Sequence, residues 1–220
     1  MKLQISVFLF VLFVSNPGFA QTAKFEGFDL DLSSGFMPMH TSSAIENYPN
    51  LSIQRDAPKD IPFILRFGYT KAVDERYTVG LSINDNLLPS RKANTSIYSN
   101  GTLINAAGSI QWLEHRQGFT FKFGRLMDES NQVYFKVGPT WASQNGVNNN
   151  GSAFNGVRIQ YTTLGLGVKR LISPKVFALA EMDYARMLPT TTPKTIGNTP
   201  MTVNTHVEGY SLLLGLGYQF

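Results

Sequence analysis

The sequence predicts an all-β fold: an eight-stranded antiparallel up-and-down transmembrane β-barrel with short periplasmic turns and long extracellular loops. Three observations carry the prediction. In the terminal segment, Tyr210, Leu212, Leu214, Leu216, Tyr218 and Phe220 share one face of an extended strand. Gly209, Ser211, Gly215, Gly217 and Gln219 share the other, with Leu213 the single apolar residue among them. A strand between lipid and a narrow lumen has this pattern. Second, residues 1–20 have the layout of a secretory signal: Lys2, an apolar run from Ile5 to Val14, then helix-breaking Ser15 to Gly18 and small residues before Ala20. That run is too short to span a bilayer, and no other segment could cross as a helix, so membrane residence must be through strands. Third, the rest of the chain divides into alternating segments joined in turn by long polar stretches and tight turns.

The expected domain plan is therefore a signal peptide over 1–20, cleaved after Ala20, and a barrel domain over 21–220. The first strand, about Phe25 to Phe36, points Phe28, Leu30 and Leu32 outward and Asp29, Asp31 and Ser33 inward. A polar loop runs over about 37–60. The second strand, Ile61 to Lys71, has Phe63, Leu65, Phe67 and Tyr69 out and Arg66, Gly68 and Thr70 in. Pro62 suits a strand start, where a missing N–H costs least. Asp74-Glu75-Arg76 is a turn. The third strand, Tyr77 to about Leu87, has Val79, Leu81 and Ile83 out and Thr78, Gly80 and Ser82 in; the loop to about Asn105 holds Asn100-Gly101, the pair that tips a tight hairpin.

Ala106 to Met127 is read as one long strand with Phe119, Phe121 and Phe123 out and Thr120, Lys122 and Gly124 in. A turn at Glu114 to Gln117 would instead give nine strands, an odd number disfavoured in bacterial barrels. Asp128 to Asn131 is a turn. The fifth strand, Gln132 to Trp141, has Val133, Phe135 and Val137 out and Tyr134, Lys136 and Gly138 in. After an Asn/Gly-rich loop over 144–155 comes the sixth, about Gly156 to Leu171, with Leu164, Leu166 and Val168 out and Gly165, Gly167 and Lys169 in. Val157, Ile159 and Tyr161 have the opposite parity, which predicts a bulge near Tyr161–Thr163. Ser173-Pro174-Lys175 is a turn. The seventh strand, Val176 to Met187, has Ala178, Ala180, Met182 and Tyr184 out and Glu181 and Asp183 in, and a Pro/Thr-rich loop leads to the terminal strand.

Composition fits the same class. The 15% of charged residues lies below the roughly 25% of soluble domains, and aromatics make up 12%. There is no cysteine, which excludes disulfides, thiolate metal sites and a lipoprotein anchor. The net charge of +4 is scattered, so no nucleic-acid footprint forms.

On this reading Asp29, Asp31, Arg66, Lys122, Lys136, Lys169, Glu181 and Asp183 all face the lumen, four acids against four bases. An eight-stranded barrel is just wide enough to be filled by its own side chains, and buried charges must pair. The balanced set is expected to be a salt-bridged plug. Catalytic, cofactor and metal sites are not expected. His40, His115 and His206 lack metal-ligand spacing. His40-Thr41-Ser42 sets hydroxyls beside an imidazole, but no carboxylate is placed by sequence to orient His40. Gly165-Leu166-Gly167 and Gly215-Leu216-Gly217 are strand-face glycines, not nucleotide loops.

Four motifs carry a family resemblance over nearly all of the chain after the signal: Phe25 to Phe28, Val133 to Gly138 after an Asp/Asn turn, Ala178 to Tyr184, and Gly215 to Phe220 at the end. In their order and spacing the chain resembles the opacity-protein and related small outer-membrane surface-antigen barrels, often called porin-family or outer-membrane β-barrel domain proteins. The resemblance implies eight strands, surface loops that vary and bind, and no shared catalytic residues. A periplasmic peptidoglycan-binding domain is not expected. Tyr218 and Phe220 are similar to the C-terminal aromatic signal read by the barrel-assembly machinery.

The expectation is thus a monomeric bacterial outer-membrane barrel, not an enzyme, without cofactor. Its role is structural or adhesin-like, through loops near 37–60, 88–105, 143–156 and 188–206. Its partners are outer-membrane lipid and lipopolysaccharide, the barrel-assembly machinery, and a host or surface ligand at the loops. The alternatives are a small passive channel for ions or solutes, and a lipid A-modifying enzyme that would depend on His40 or the serines beside it.

Overall fold

The computed structural model describes residues 22–45, 48–55, 59–148, 151, 153–187, 190–196 and 199–220; the expected signal segment lies outside them. A short 3-10 turn, Thr22–Phe25, leads into the strands. These are β1 (Gly27–Ile45), β2 (Tyr48–Arg55), β3 (Lys59–Asp60), β4 (Phe63–Ala72), β5 (Tyr77–Asn86), β6 (Ala93–Ser99), β7 (Thr102–Leu126), β8 (Asn131–Asn148), β9 (Ala153–Leu171), β10 (Val176–Arg186), β11 (Thr190–Ile196) and β12 (Thr199–Gln219).

The wall runs β1-β4-β5-β7-β8-β9-β10-β12, each antiparallel to the next, and β12 returns to β1, closing an eight-stranded barrel. Closure runs from Asp29↔Gln219 to Ile45↔Val203. Tight turns at residues 73–76, 127–130 and 172–175 join strands at one end, where the sequence places them. Asp74 and Asp128 each accept backbone N–H groups two and three residues on, which fixes two of these turns.

Burial is inverted relative to a soluble protein. Leu214, Leu216 and Leu166 are 71%, 61% and 57% exposed, while Asp31, Arg66 and Glu181 are 2%, 2% and 4% exposed. A water-facing surface would not gather the large apolar side chains and leave the charges inside. On β12 the outward face runs from Tyr210 to Phe220; at ~3.3 Å per residue and a tilt of ~40° it rises about 25 Å, the height of an outer-membrane apolar band. Aromatic pairs edge the belt: Tyr184–Tyr210 and Phe119–Trp141 above, Phe28–Tyr69 and Tyr218–Phe220 below.

The far end departs from the sequence reading. The stretches expected as polar loops are largely strand, because the wall continues beyond the belt. β1 extends to Ile45 and pairs with β2, β2 pairs with β6, and β6 and β7 form the hairpin tipped by Asn100 and Gly101, at φ +49° and +76°. β11 and the start of β12 form another hairpin. The 144–155 loop shrinks to the few residues between β8 and β9.

Ala106 to Met127 lies within one long strand, β7, through Leu126. Its ladder with β8 shifts by one residue between Glu114 and Gln117, and His115 takes φ +50° there. That bulge turns Arg116 inward, leaves His115 exposed, and keeps Leu113 on the inner face. The bulge expected near Tyr161–Thr163 is absent: β9 follows β8 without a shift from Gly138↔Thr163 to Ser143↔Arg158. Ile159 and Tyr161 stay inside because, above the belt, the outside is water and the lumen is the dry side. They join Met39, Leu113, Ala142, Met187 and Val207 in an apolar cluster across the upper lumen.

Candidate functional site

The middle of the lumen is filled by an ionic network whose members come from six strands. Inward positions alternate along each strand, so adjacent strands bring these side chains to one level. Arg66 of β4 donates to both carboxylate oxygens of Glu181 on β10, Nη1 to Oε1 at 2.6 Å and Nη2 to Oε2 at 2.8 Å, and Nη2 also donates to Ser33 at 3.1 Å. Lys136 of β8 bridges Glu181 at 2.6 Å and Asp183 at 2.9 Å. Tyr134 adds a hydroxyl bond to Glu181 at 2.5 Å, and Ser211 donates to Asp183 at 3.2 Å. Glu181 thus accepts from three donors, which is what a fully buried carboxylate requires.

Below this level Lys169 pairs with Asp29 at 3.1 Å and lies 3.8 Å over the Phe177 ring. Asp31 lies 3.8 Å from Arg66 Nε. Lys122 differs from the other seven. Among the described residues it has no carboxylate within salt-bridge distance, and its ammonium sits 5.7 Å from the centre of the Tyr134 ring. All eight residues singled out by the sequence therefore reach the lumen, and seven meet an opposite charge directly.

The glycines on the inner face make this packing possible. A Cβ at Gly165 would run into the Asp183 carboxylate and the Lys136 stem, and one at Gly167 into the Tyr134 ring. Two small cavities flank the network. The upper one, about 70 Å³, is bounded by Arg66, Lys136, Asn84, Thr120 and Arg116; the lower, about 10 Å³, lies among Asp29, Asp31, Lys122 and Tyr134. The upper has room for a few waters and the lower for about one.

A second buried ion pair, Arg116–Asp60 at 2.9 Å, stands at the level of the apolar cluster. Sequence reasoning gives Glu114 to Gln117 no role. A signal is present in Arg116 lying two residues from inward-facing Gly118, but the bulge that selects it is not legible from periodicity. The lower rim carries the fully buried Phe25 and Phe177. Tyr218 and Phe220 stand on the outer face beside it, rings 5.1 Å apart, and Phe220 donates its N–H to Phe28 O at 2.9 Å. Among the described residues no group of three or more potential ligands could hold a metal.

No family model and no curated protein matches the chain in sequence. Solved structures do match in fold. The outer membrane protein OprG of Pseudomonas aeruginosa aligns over 89% of this chain and 97% of its own at a TM-score of 0.61 and 14% identity. The outer membrane protease OmpT of Escherichia coli aligns over 88% and 97% at 0.54 and 10% identity. At such identities the likeness speaks for the fold. That fold and the apolar belt together identify an integral β-barrel of the bacterial outer membrane.

Proposed function

We propose that the protein is a sealed outer-membrane barrel that acts as a structural and surface-interaction protein through its extracellular end. The observation that carries this reading is the Arg66–Glu181–Lys136–Asp183 chain of ion pairs, which spans the lumen at mid-height. Glycine clearance on one side and tyrosine and serine donors on the other leave little free volume around it. The apolar cluster and the Arg116–Asp60 pair add a closure above it, and Phe25 and Phe177 fill the rim below. Adhesin-like contact would then fall to the strand-built extension above the aromatic girdle, in contact with lipopolysaccharide and open to a host or surface ligand. Tyr218 and Phe220 serve as the recognition signal for the barrel-assembly machinery, and the finished barrel works as a monomer.

Single-channel recording of the refolded chain in planar bilayers tests the seal. Silence from a protein shown to be folded and inserted is the expected result. Steady, reproducible conductance steps would reject the sealed reading in favour of a passive channel.

A further inference from the structure

The outer wall just above the Tyr184–Tyr210 pair carries a lattice of reactive side chains that plays no part in closing the lumen. β1 and β12 pair there without a shift, so Ser42 stands opposite His206 and His40 opposite Glu208. On its other side Ser42 faces Gln54 of β2, and Glu208 faces Arg186 of β10. The result is two rows on one outward face, Gln54–Ser42–His206 and, one step below, His40–Glu208–Arg186. All six are exposed or half-buried. His206 Nε2 lies 3.3 Å from Glu208 Oε2, and Tyr184 donates to the same oxygen at 3.5 Å.

Side chains directly opposite on antiparallel strands have Cβ atoms about 4.5–5.5 Å apart. That pairing sets the Ser42 hydroxyl and the His206 ring side by side on one face, with one ring nitrogen of His206 not engaged by Glu208. We propose that Ser42, His206 and Glu208 form a hydrolytic triad on the outer wall that cleaves acyl esters of outer-leaflet lipid. The sequence alone shows a hydroxyl beside His40 but no carboxylate to orient that histidine. The closed barrel supplies a different base, His206, and a carboxylate from the far end of the chain.

The substrate class follows from position. The lattice lies two to four residues above Tyr210, roughly 5–10 Å beyond the girdle, at the depth of lipid headgroups. Exposed Ser42, Gln54, His40 and Arg186 leave this face open to a substrate held in the bilayer. Ser42 Oγ attacks the ester carbonyl and gives its proton to His206, while the Gln54 amide donates to the developing oxyanion. The tetrahedral intermediate breaks its C–O bond to the alcohol, which leaves with the proton from His206. Water, deprotonated by His206, then attacks the acyl-serine; the Ser42–acyl bond breaks, the fatty acid departs, and Ser42 regains its proton. Glu208 is a positioning residue that holds the imidazolium, and Arg186 offers a cation to a lipid phosphate.

The test uses the full chain refolded in detergent–lipid micelles, with heat-modifiable migration confirming that each variant is folded. A fluorophosphonate probe is expected to form an adduct mapped by mass spectrometry to Ser42. Ser42→Ala abolishes it, and His206→Gln slows it by about 100-fold or more. Glu208→Gln lowers kcat for fatty-acid release with KM little changed, whereas loss of a merely structural contact would leave kcat alone. Separate incubations with phospholipid and with lipopolysaccharide identify the ester that is cut. A folded wild type without the adduct, an adduct undiminished in His206→Gln, or release from neither lipid would overturn the proposal. None of these readouts depends on whether the lumen conducts.

Discussion

Arg66 and Glu181, 115 residues apart, clasp across the lumen through two charge-assisted hydrogen bonds. The same carboxylate holds Lys136, so Glu181 is the hub of the network. Removing a hub differs from removing a pair: Glu181→Ala leaves two buried cations with less anion to share. It is expected to destabilise the barrel by about 3–5 kcal/mol, the cost typical of an uncompensated buried charge. Replacing Arg66 and Glu181 together by Leu removes a cation with the anion and leaves Lys136 with Asp183, while Asp31 loses its Arg66 contact, so the double variant should cost no more than Glu181→Ala. Urea unfolding in lipid vesicles measures both, and a double variant weaker than the single one would contradict the hub assignment.

Gly165 and Gly167 give a second prediction. The side chains standing over them are the Asp183 carboxylate with Lys136, and the Tyr134 ring. Gly165→Val must displace the Lys136–Asp183 contact, and Gly167→Val must push the Tyr134 ring from its place beside Glu181. Overpacking of this kind typically costs about 1–3 kcal/mol. The seal should also loosen, so transient conductance should appear in Gly165→Val bilayer records where the parent chain is silent. A variant as stable as the parent would mean that the lumen is roomier than the packing implies.

The parity of each strand within the belt was legible in the sequence because lipid outside and a polar lumen inside impose period-two alternation on every strand. Leu30 against Asp31, Phe67 against Arg66 and Met182 against Glu181 all read correctly for this reason. Above the belt that rule reverses. Ile159 and Tyr161 look like outward residues in the wrong parity, which periodicity alone turns into a bulge; they are instead core residues of an extension whose outside is water. The partners of the lumen charges were not legible either. Arg66 meets Glu181, Lys169 meets Asp29, and Lys122 meets neither, and only barrel geometry decides this. The inward apolar cluster predicts that Ile159→Ala costs about 2–5 kcal/mol, as for a buried side chain. A surface residue would cost almost nothing, so the unfolding midpoint separates the two positions for Ile159.

The turn between β7 and β8 carries the clearest dependence on pH. Asp128 is held below the usual carboxylate range first by the backbone N–H of Ser130 and then by the Asn131 amide, at 2.8 Å and 2.7–2.9 Å. Beside it, Glu129 is held low by the Lys24 ammonium at 2.7 Å. A depressed folded value means that the turn contributes stability above the unfolded value of about 4 and loses it as pH falls through the folded one. Wild type and Asp128→Ala should therefore differ in urea midpoint above pH ~4, and the gap should close on further acidification. A gap that persists undiminished at pH ~2 would show that the contribution does not come from the ionised carboxylate.

The belt gives the last prediction, and it tests the placement of the whole molecule. Among the described residues Leu214 is the most exposed of the large apolar side chains, at 71%, and it lies midway between the Tyr210 and Tyr218 girdle positions. Its cross-strand partners are small, Ser34 on β1 and Ala180 on β10, so the protein itself does little to shield it and lipid must. Arg at this depth must be carried to the bilayer midplane without a partner, at about 2–4 kcal/mol, with less cost toward the interfaces. Leu214→Arg should fold poorly, losing the heat-modifiable band, and Tyr218→Arg at the lower girdle should be tolerated better. Equal folding of the two variants would mean that this face does not meet hydrocarbon, and the inverted burial of Leu214 and Glu181 would then need another solvent to explain it.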